Sequence, residues 1–270
     1  MRGTSGASLA AAQERFEPVL RSAGTESVTL GEQLFVVVGA LDGSGALRRS
    51  LADPSRKGED KARVVATVLT GFDERVVDVV SGLVRSRWSD EADLVDAIER
   101  IGLDSVLAGA ESRGVLETVE DELFRLTRSL VGAREARQVL SDTSTSAARR
   151  TAFVDTLLDG KVDPVTQVLA RRATESPRGR RFVATLSWYG DVAAERRKRL
   201  VASVTSGSVL TSTQEERLGG ILERAYGRPV QLNVTVDPTV VGGLRIQVGA
   251  DVVDSTVLAR LADARRRLAG

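Results

Sequence analysis

The sequence predicts an α+β protein, mainly helical, in which two tandem helical bundles precede a small C-terminal α/β unit with a β-hairpin. Three observations support this prediction. Apolar residues recur at steps of three and four from about residue 8 to residue 199, which is the spacing of amphipathic helices. The helical part repeats itself along the chain, as two copies of one bundle would. Beyond residue 200 the period changes to the alternation of half-buried strands.

The helical segments are separated by glycine, proline and aspartate, and most of them are about 8 to 20 residues long, the ordinary length of a globular helix. Val64, Val65, Val68 and Leu69 keep the helical spacing, and Gly71 follows them as a helix end. Aromatic residues make up only 4% of the chain. The core is therefore expected to consist mainly of leucine, valine, alanine and isoleucine, which suits helical bundles.

The internal repeat aligns unlike residues as well as leucines and valines. Leu34-Phe35 falls on Leu123-Phe124, 89 residues later, and Gly71 falls on Gly160 at the same offset. The register runs without a gap from residue 34 to residue 79 of the first copy. Generic amphipathic helices would match leucines and valines, but they would not also align a Leu-Phe pair and a glycine that ends a helix in a left-handed conformation.

These patterns predict three domains. Residues 1–103 form the first helical bundle, residues 104–199 form the second, duplicated bundle, and residues 200–270 form the α/β unit. The last unit is too small to be very stable by itself, so we expect it to pack against a helix or a partner.

The α/β unit is predicted from alternating polarity. Residues 230–236 and 244–248 alternate apolar and polar side chains, and each segment is predicted to be a half-buried strand. A less regular strand is predicted over residues 200–209. A further tight turn is expected at residues 249–251, before Val252-Val253.

Two helices are predicted in this unit. Ser212 and Glu215 are expected to form the capping box of a helix that ends at Gly227. A last helix is expected to begin at Asp254-Ser255.

Composition excludes most catalytic chemistry. The chain has no cysteine and no histidine, which excludes disulfides, thiolate catalysis, Cys/His zinc sites and imidazole acid–base chemistry. It has no G-x-x-x-x-G-K-[ST] loop for a nucleotide phosphate. We therefore predict a protein that is not an enzyme, with no catalytic residues, no metal site and no cofactor.

Charge and hydropathy exclude two classes of partner. The net charge is +1, without the basic excess that binding to nucleic acid requires. The longest apolar stretches, such as Leu34 to Val38, are far shorter than the about 20 residues that span a bilayer. We expect no nucleic-acid partner and no direct membrane insertion.

The C-terminal residues resemble a family signature. Val236-Asp237-Pro238, then Val241-Gly242-Gly243-Leu244-Arg245-Ile246, then Val253-Asp254-Ser255 are similar to the end of the delta subunit of the F-type ATP synthase. Leu51-Ala52-Asp53-Pro54-Ser55 is similar to the N-terminal bundle of that family. Ordinary members have one bundle, so the chain resembles the long, internally duplicated form found in high-GC Gram-positive bacteria. The signature residues with an expected structural role are Asp237, Gly242, Gly243, Asp254 and Ser255.

The resemblance implies a stator role in the peripheral stalk. The family member joins the catalytic head to the b-subunit stalk, so that rotation is coupled to ATP synthesis. Its bundle takes an N-terminal helix of a head alpha subunit into a groove between helices, and its C-terminal unit holds the end of the b subunit. The implied location is peripheral, on the cytoplasmic face of the cell membrane.

In the first copy, the partner-helix groove is expected near five apolar residues. Phe16 and Val19 would line it from one helix, and Val76, Val79 and Val80 would line it from another. The same residues could instead form the core of the bundle, which the sequence favours for any single one of them, and both alternatives stay open.

Two other functions fit part of the sequence. A generic helical-repeat adaptor that binds amphipathic partner helices would also show a duplicated bundle without catalytic groups, but it would not need the C-terminal signature. An RNA-binding protein would need basic strand faces with stacking aromatic residues, and the predicted strands carry no aromatic residue.

The absence of a nucleotide-phosphate loop generates a first prediction. The purified chain is expected to release no phosphate from ATP above the level of a buffer control, measured with a coupled phosphate assay. Turnover that persists through successive purification steps in proportion to the chain would contradict it.

Overall fold

The computed structural model describes residues 3–141, 145–198, 200–226, 230–240, 242–248 and 251–254. The chain divides into two compact units, Met1–Ala194 and Glu195–Gly270. The first unit is helical, and the second contains a four-stranded mixed sheet. The predicted fold class, a mainly helical α+β protein, is confirmed.

The first copy of the repeat contains six helices, with a short 3-10 turn at Gly24–Glu26 after the first of them. They are α1 (Gly3–Ala23), α2 (Ser27–Gly43), α3 (Gly45–Ala52), α4 (Gly58–Val68), α5 (Glu74–Arg85) and α6 (Glu91–Ser112).

The second copy repeats these bounds. Its helices are α7 (Leu116–Gly132), α8 (Arg134–Ser141), α9 (Ala147–Leu158), α10 (Pro164–Glu175) and α11 (Phe182–Lys198). Helices α7 and α8 begin and end 89 residues after α2 and α3. Helix α6 begins 88 and ends 89 residues after α1, so it is both the last helix of the first copy and the first helix of the second.

The shared helix α6 passes from one hydrophobic core to the other. Its N-terminal half contributes Leu94, Ile98 and Ile101 to the core of the first copy. Its C-terminal half contributes Leu103 and Leu107 to the core of the second. The predicted boundary between residues 103 and 104 falls inside this continuous helix, so helical backbone joins the two copies, and their division into two domains stays a prediction.

The same tertiary contact recurs in both copies. In the first, Oε1 of Gln33 accepts a hydrogen bond from the backbone N–H of Asp73 at 2.8 Å. In the second, Oε2 of Glu122 accepts one from the backbone N–H of Asp163 at 2.9 Å. Asp73 and Asp163 are the N-caps of α5 and α10, and each side chain accepts a hydrogen bond from the second residue of its helix.

The positions of these two N-caps show that the predicted alignment of the two copies needs a correction in its second half. Gly71 and Gly160 both have a left-handed conformation, with φ of 90° and 65°, as predicted. However, α10 begins and ends 90 residues after α5. The second copy thus has one extra residue between Gly160 and Asp163, and the gap-free register predicted up to residue 79 is wrong beyond Gly71. Structural equivalence places Val79 with Leu169.

Helices α2 and α6 approach each other closely because glycines lie between them. A Cβ atom on Gly31 would lie 2.6 Å from the carbonyl oxygen of Gly102. A Cβ on Gly102 would lie 2.8 Å from Cε1 of Phe35, and one on Gly109 would lie 2.4 Å from Cγ2 of Val28. Real side chains do not fit at such distances, so this helix pair depends on glycine at three positions.

A buried carboxylate joins the two copies. Glu99 of α6 is 1% exposed. Its Oε2 accepts a hydrogen bond from Nη1 of Arg178 at 2.8 Å and another from Nη2 of Arg180, and Nη2 of Arg172 lies 3.8 Å from Oε1. Nearby, burial and the charge of Glu99 raise the pKa of the Tyr189 phenol.

Arg178 is held in a strained backbone conformation by this cluster. Its φ is 47°, in the left-handed region that costs a non-glycine residue about 1–2 kcal/mol. Besides Glu99, its guanidinium pairs with Asp42 at 2.9 Å and with Asp96 at 2.8 Å. Three carboxylates of the first copy thus fix one arginine of the second, and the contacts offset the strain.

The C-terminal unit is built around its first strand. Its elements are β1 (Leu200–Ser206), α12 (Ser212–Tyr226), β2 (Val230–Val236), β3 (Leu244–Val248) and β4 (Asp251–Asp254), and the strand order is β2-β1-β3-β4. Strand β1 is parallel to β2 and antiparallel to β3. Because β1 separates β2 from β3, these two do not form a hairpin. The hairpin of this unit is formed instead by the antiparallel neighbours β3 and β4.

The cap of α12 differs from the predicted one by one residue. The Thr211 hydroxyl accepts a hydrogen bond from the backbone N–H of Gln214 at 3.3 Å. In return, Oε1 of Gln214 accepts from the backbone N–H of Thr211 at 2.8 Å. The capping box is therefore Thr211 with Gln214, and the predicted pair Ser212 with Glu215 is wrong. The predicted last helix lies outside the described residues.

The glycine contact between α2 and α6 predicts opposite effects for two substitutions in one helix. Gly31→Ala is expected to lower the free energy of unfolding by about 2 kcal/mol, because its Cβ meets backbone that cannot move aside. Gly39→Ala is the control: it is exposed, with nothing within 4 Å of its Cβ, and should gain roughly 0.5–1 kcal/mol from helix propensity. Urea denaturation followed by circular dichroism measures both values. Equal effects would contradict the close contact.

The buried carboxylate predicts a second contrast. Glu99→Gln is expected to lower the free energy of unfolding by about 3 kcal/mol, because it leaves buried arginines without a full counter-charge. Glu91→Gln removes the half-exposed pair with Arg48, at 3.1 Å, and should cost less than about 1 kcal/mol. The same denaturation experiment compares the two. A loss for Glu99→Gln no larger than that of Glu91→Gln would show that the buried cluster does not stabilise the junction.

Candidate functional site

An open groove lies between α1 and α5 in the first copy. Its volume is about 250 Å³, and its lining is mainly apolar with charges at the rim. The lining residues are Ala12, Arg15, Phe16, Val19, Arg75, Asp78, Val79 and Gly82. Helical spacing places Ala12, Phe16 and Val19 on one face of α1, and Val79 with Gly82 on one face of α5.

Three of the five residues predicted for this groove line it. Val19 and Val79 are half-buried at its walls, and Phe16 is buried at its base. Val76 and Val80 are 0% and 1% exposed and belong to the core of the first copy. Phe16 also belongs to that core, so the core alternative holds for three of the five residues, and the binding of a partner helix in the groove stays a prediction.

The rim of the groove carries an arginine anchored to the fold. Nε and Nη2 of Arg75 donate hydrogen bonds to Asp73 at 2.9 and 2.7 Å, and Nη2 also donates to Glu26 at 3.3 Å. The hydrogen bond from Arg75 holds the pKa of Asp73 below its ordinary value. Together with Arg15 and Asp78, Arg75 forms a rim of positive and negative side chains around an apolar floor.

The corresponding position in the second copy, between α6 and α10, is closed. The residues of α6 that correspond to Ala12, Phe16 and Val19 are Ile101, Ser105 and Ala108, and all three are buried. Ile101 and Ala108 pack in the core of the first copy. On α10, Leu169 corresponds to Val79 and is fully buried. The first copy therefore covers the face of the second copy that would otherwise form a groove.

Helix α2 bridges the two helices of this closed position. The Phe35 ring packs against Gly102 of α6, and the guanidinium of Arg172 on α10 lies 4.7 Å from the centre of that ring. Phe35 belongs to the second core although it lies on a helix of the first copy. Val28, seven residues earlier and thus on the same face of α2, packs against the same core.

The predicted signature residues lie at turns of the C-terminal unit. Asp237 follows β2, and its Oδ1 accepts hydrogen bonds from the backbone N–H and the hydroxyl of Thr239 at 2.9 and 2.7 Å, which lower the pKa of its carboxyl group. Gly242 and Gly243 have φ of 53° and 116°. Asp254 ends β4 opposite Arg245. The fifth residue, Ser255, lies outside the described residues.

The described residues contain neither a metal-binding cluster nor a helix that could span a membrane. No group of three or more Asp, Glu, His or Cys side chains is placed to hold a metal ion. Among the described helices, none has the length and hydropathy that crossing a membrane requires.

Comparison with known proteins places these features in a family. The sequence model of the ATP synthase delta (OSCP) subunit matches residues 104–268, which span the predicted second bundle and most of the α/β unit. A chain of the mitochondrial ATP synthase hexamer of Toxoplasma gondii, known from cryo-EM, covers 62% of this chain and 95% of its own length. Its identity is 19% and its TM-score 0.29.

Curated relatives match over their whole length, the first copy included. The ATP synthase subunit delta of Beutenbergia cavernae is 56% identical and covers 100% of both chains. That of Kineococcus radiotolerans is 44% identical over 99% of this chain and 98% of its own, and that of Streptomyces griseus subsp. griseus is 41% identical over 100% of both. The chain belongs to the ATP synthase delta (OSCP) subunit family.

Proposed function

We propose that the chain is a stator subunit of an F-type ATP synthase, which joins the catalytic head to the peripheral stalk through its two ends. Family membership makes it a non-catalytic subunit of that complex and favours this role over a generic helical-repeat adaptor. The observation that carries the attachment to the head is the open groove between α1 and α5.

The α1–α5 groove suits an amphipathic helix. Apolar side chains of a helix anchor in an apolar groove, and charged side chains flank it, which is the arrangement here. We assign this groove to the N-terminal helix of an alpha subunit of the head. Residues Val19 and Val79 are the wall contacts, and Phe16 is the base.

The chain's own packing supports the first copy as the site of attachment. At the corresponding position of the second copy, α2 already lies against α6 and α10 through Phe35. A second partner helix would have to displace this contact. The duplicated chain therefore takes one alpha-subunit helix at this kind of groove, in the first copy.

The C-terminal unit is assigned to the b subunit. Among the described residues, the edge strands β2 and β4 pair on one side only, and they carry the exposed apolar residues Val236, Val252 and Val253. Exposed apolar residues on sheet edges mark a surface that a partner covers. With both attachments, the subunit is peripheral to the membrane, on the cytoplasmic face, and keeps the head from turning with the central shaft.

Calorimetry of the full chain with a peptide of the alpha-subunit N-terminus tests the groove. Binding is expected with a stoichiometry of one. Val79→Glu should weaken it about tenfold or more, because it places a charge against the apolar face of the bound helix. Val36→Glu, on the exposed side of α2, is the control and should leave the affinity unchanged. A stoichiometry of two would contradict the assignment to one copy.

A peptide from the C-terminus of the b subunit tests the other end in the same instrument. It should bind the full chain and also the Val79→Glu variant with equal affinity, because its site is in the C-terminal unit. If neither peptide produces heat at low or moderate salt, the stator attachment proposed here is wrong.

A further inference from the structure

An arginine-lined cavity lies in the second copy, among α8, α9, α10 and the N-terminal end of α11. Its volume is about 240 Å³. The side chains that form it are of two kinds, apolar and basic, and the main ones are Leu140, Ala173 and Phe182 with Arg150, Arg180 and Arg181. Among the described residues, none that lines the cavity carries a carboxylate. The cavity shares no residue with the α1–α5 groove.

Smaller residues open this cavity in the second copy. Ala173 of α10 corresponds to Leu83 of α5, which is fully buried in the core of the first copy. The connection that leads into α6 contains Trp88, whose side chain packs against that same core. The connection that leads into α11 contains Gly179, which lines the cavity. Apolar side chains of the first copy thus occupy volume that the second copy leaves to the cavity.

Two of the three arginines are held in place by the fold. Arg150 is 6% exposed, and its Nη2 donates a hydrogen bond to the backbone carbonyl oxygen of Thr174 at 3.2 Å. Arg180 donates a hydrogen bond to Glu99, and its guanidinium lies 4.4 Å from the centre of the Trp188 ring. These contacts fix the direction of both guanidinium groups, so the groups are preorganised for contact with an oxyanion.

Arg181 adds a positive charge at the N-terminus of α11. Its backbone carbonyl oxygen accepts the first helical hydrogen bond, from the N–H of Thr185 at 3.0 Å. Its side chain is exposed and forms no ion pair among the described residues. Before α6, the residue in this place is Asp90, whose Oδ1 accepts a hydrogen bond from the N–H of Ala92 at 2.7 Å. An arginine has no acceptor atom, so Arg181 cannot cap its helix in that way.

The first turn of α11 adds a second source of positive potential. The first turn of α6 contains Glu91 and Asp93, whereas that of α11 contains no acidic residue. The N–H groups of a first turn carry partial positive charge and attract anions. Arginine forks also match the oxygen atoms of a phosphate group in a bidentate contact. The helix end and the arginines therefore favour the same kind of ligand.

We propose that this cavity binds a phosphate group, either inorganic phosphate or the phosphate of a small monoester whose organic part lies against Leu140, Ala173 and Phe182. Arg181 and the first turn of α11 hold the phosphate oxygens, and Arg150 and Arg180 form the wall. The bound group ties α9 and α10 to the start of α11, so it stabilises the helical unit. The site does not depend on the attachment to the head or to the stalk.

The fluorescence of Trp188 tests the site, because its ring stacks on Arg180. The chain has two tryptophans, so Trp88→Phe in the full chain leaves Trp188 as the single reporter. Titration with inorganic phosphate, at an ionic strength held constant with sodium chloride, should change the emission saturably, with a dissociation constant of about 1 mM or lower. Arg181→Gln should weaken this binding about tenfold or more, because it removes a charge that contacts the ligand.

Arg125→Gln is the matched control for this titration. It removes an exposed arginine of the same copy that does not line the cavity, and it should leave the affinity for phosphate unchanged.

Thermal unfolding gives a measurement that does not depend on a tryptophan substitution. With phosphate at about ten times its dissociation constant, the midpoint of the otherwise unchanged chain should rise by roughly 3–5 °C relative to sodium chloride of equal ionic strength. Arg181→Gln should abolish this rise, and Arg125→Gln should retain it.

Butyl phosphate distinguishes the two sources of the phosphate group. Binding about fivefold or more tighter than that of inorganic phosphate identifies a monoester, because the alkyl chain is buried against the apolar lining. Equal or weaker binding identifies free phosphate.

Three results would overturn the proposal. They are no saturable change far above the expected dissociation constant, equal phosphate affinity with and without Arg181→Gln, and the same response to sodium chloride alone. None of them bears on the attachment to the head, which Val79→Glu tests separately.

Discussion

The contact between α2 and α6 is the constraint on which the helical unit depends. The two backbones meet at Gly31 and Gly102, where no side chain fits, and this brings Phe35 across the shared helix to the second core. Because Phe35 then lies under Arg172, the same contact closes the α6–α10 position. No described helix lies across the α1–α5 position in this way, and that position stays open. One pair of glycines thus decides which copy of the duplicated bundle keeps an open groove at this position.

The sequence predicted the elements better than their partners. The Leu-Phe pairs and the glycines Gly71 and Gly160 revealed the duplication. A Leu-Phe pair and a helix-ending glycine do not recur at the same offset by chance, as leucines and valines of amphipathic helices can. The inserted residue before Asp163 was missed, since valines at steps of three and four match equally well when shifted by one. Strand alternation likewise predicted β2, β3 and, less regularly, β1, but it carried no information on the strand order, in which β1 lies between β2 and β3.

The candidate groove shows the same limit at the level of single residues. Val76, Val79 and Val80 are the same residue type on one helix, yet only Val79 of the three lines the groove. Adjacent residues of a helix point in directions about 100° apart, so Val79 faces the groove while Val80 faces the core. Phe35 and Phe124 occupy equivalent positions with opposite burial. Burial there depends on what packs against each helix from elsewhere in the chain. The local sequence pattern around each phenylalanine does not contain that information. The equivalent positions four residues earlier, Gly31 and Glu120, do differ in the sequence.

The shared helix α6 has a mechanical consequence. Two domains connected by coil can twist against each other, and the coil behaves as a soft spring. Here, torque applied to one bundle passes directly into the other through the backbone hydrogen bonds of a single helix, and the ion pairs of Glu99 resist shear beside it. Lengthening a tether by duplication ordinarily makes it more compliant. Duplication through a common helix extends the reach of the tether while preserving its torsional stiffness.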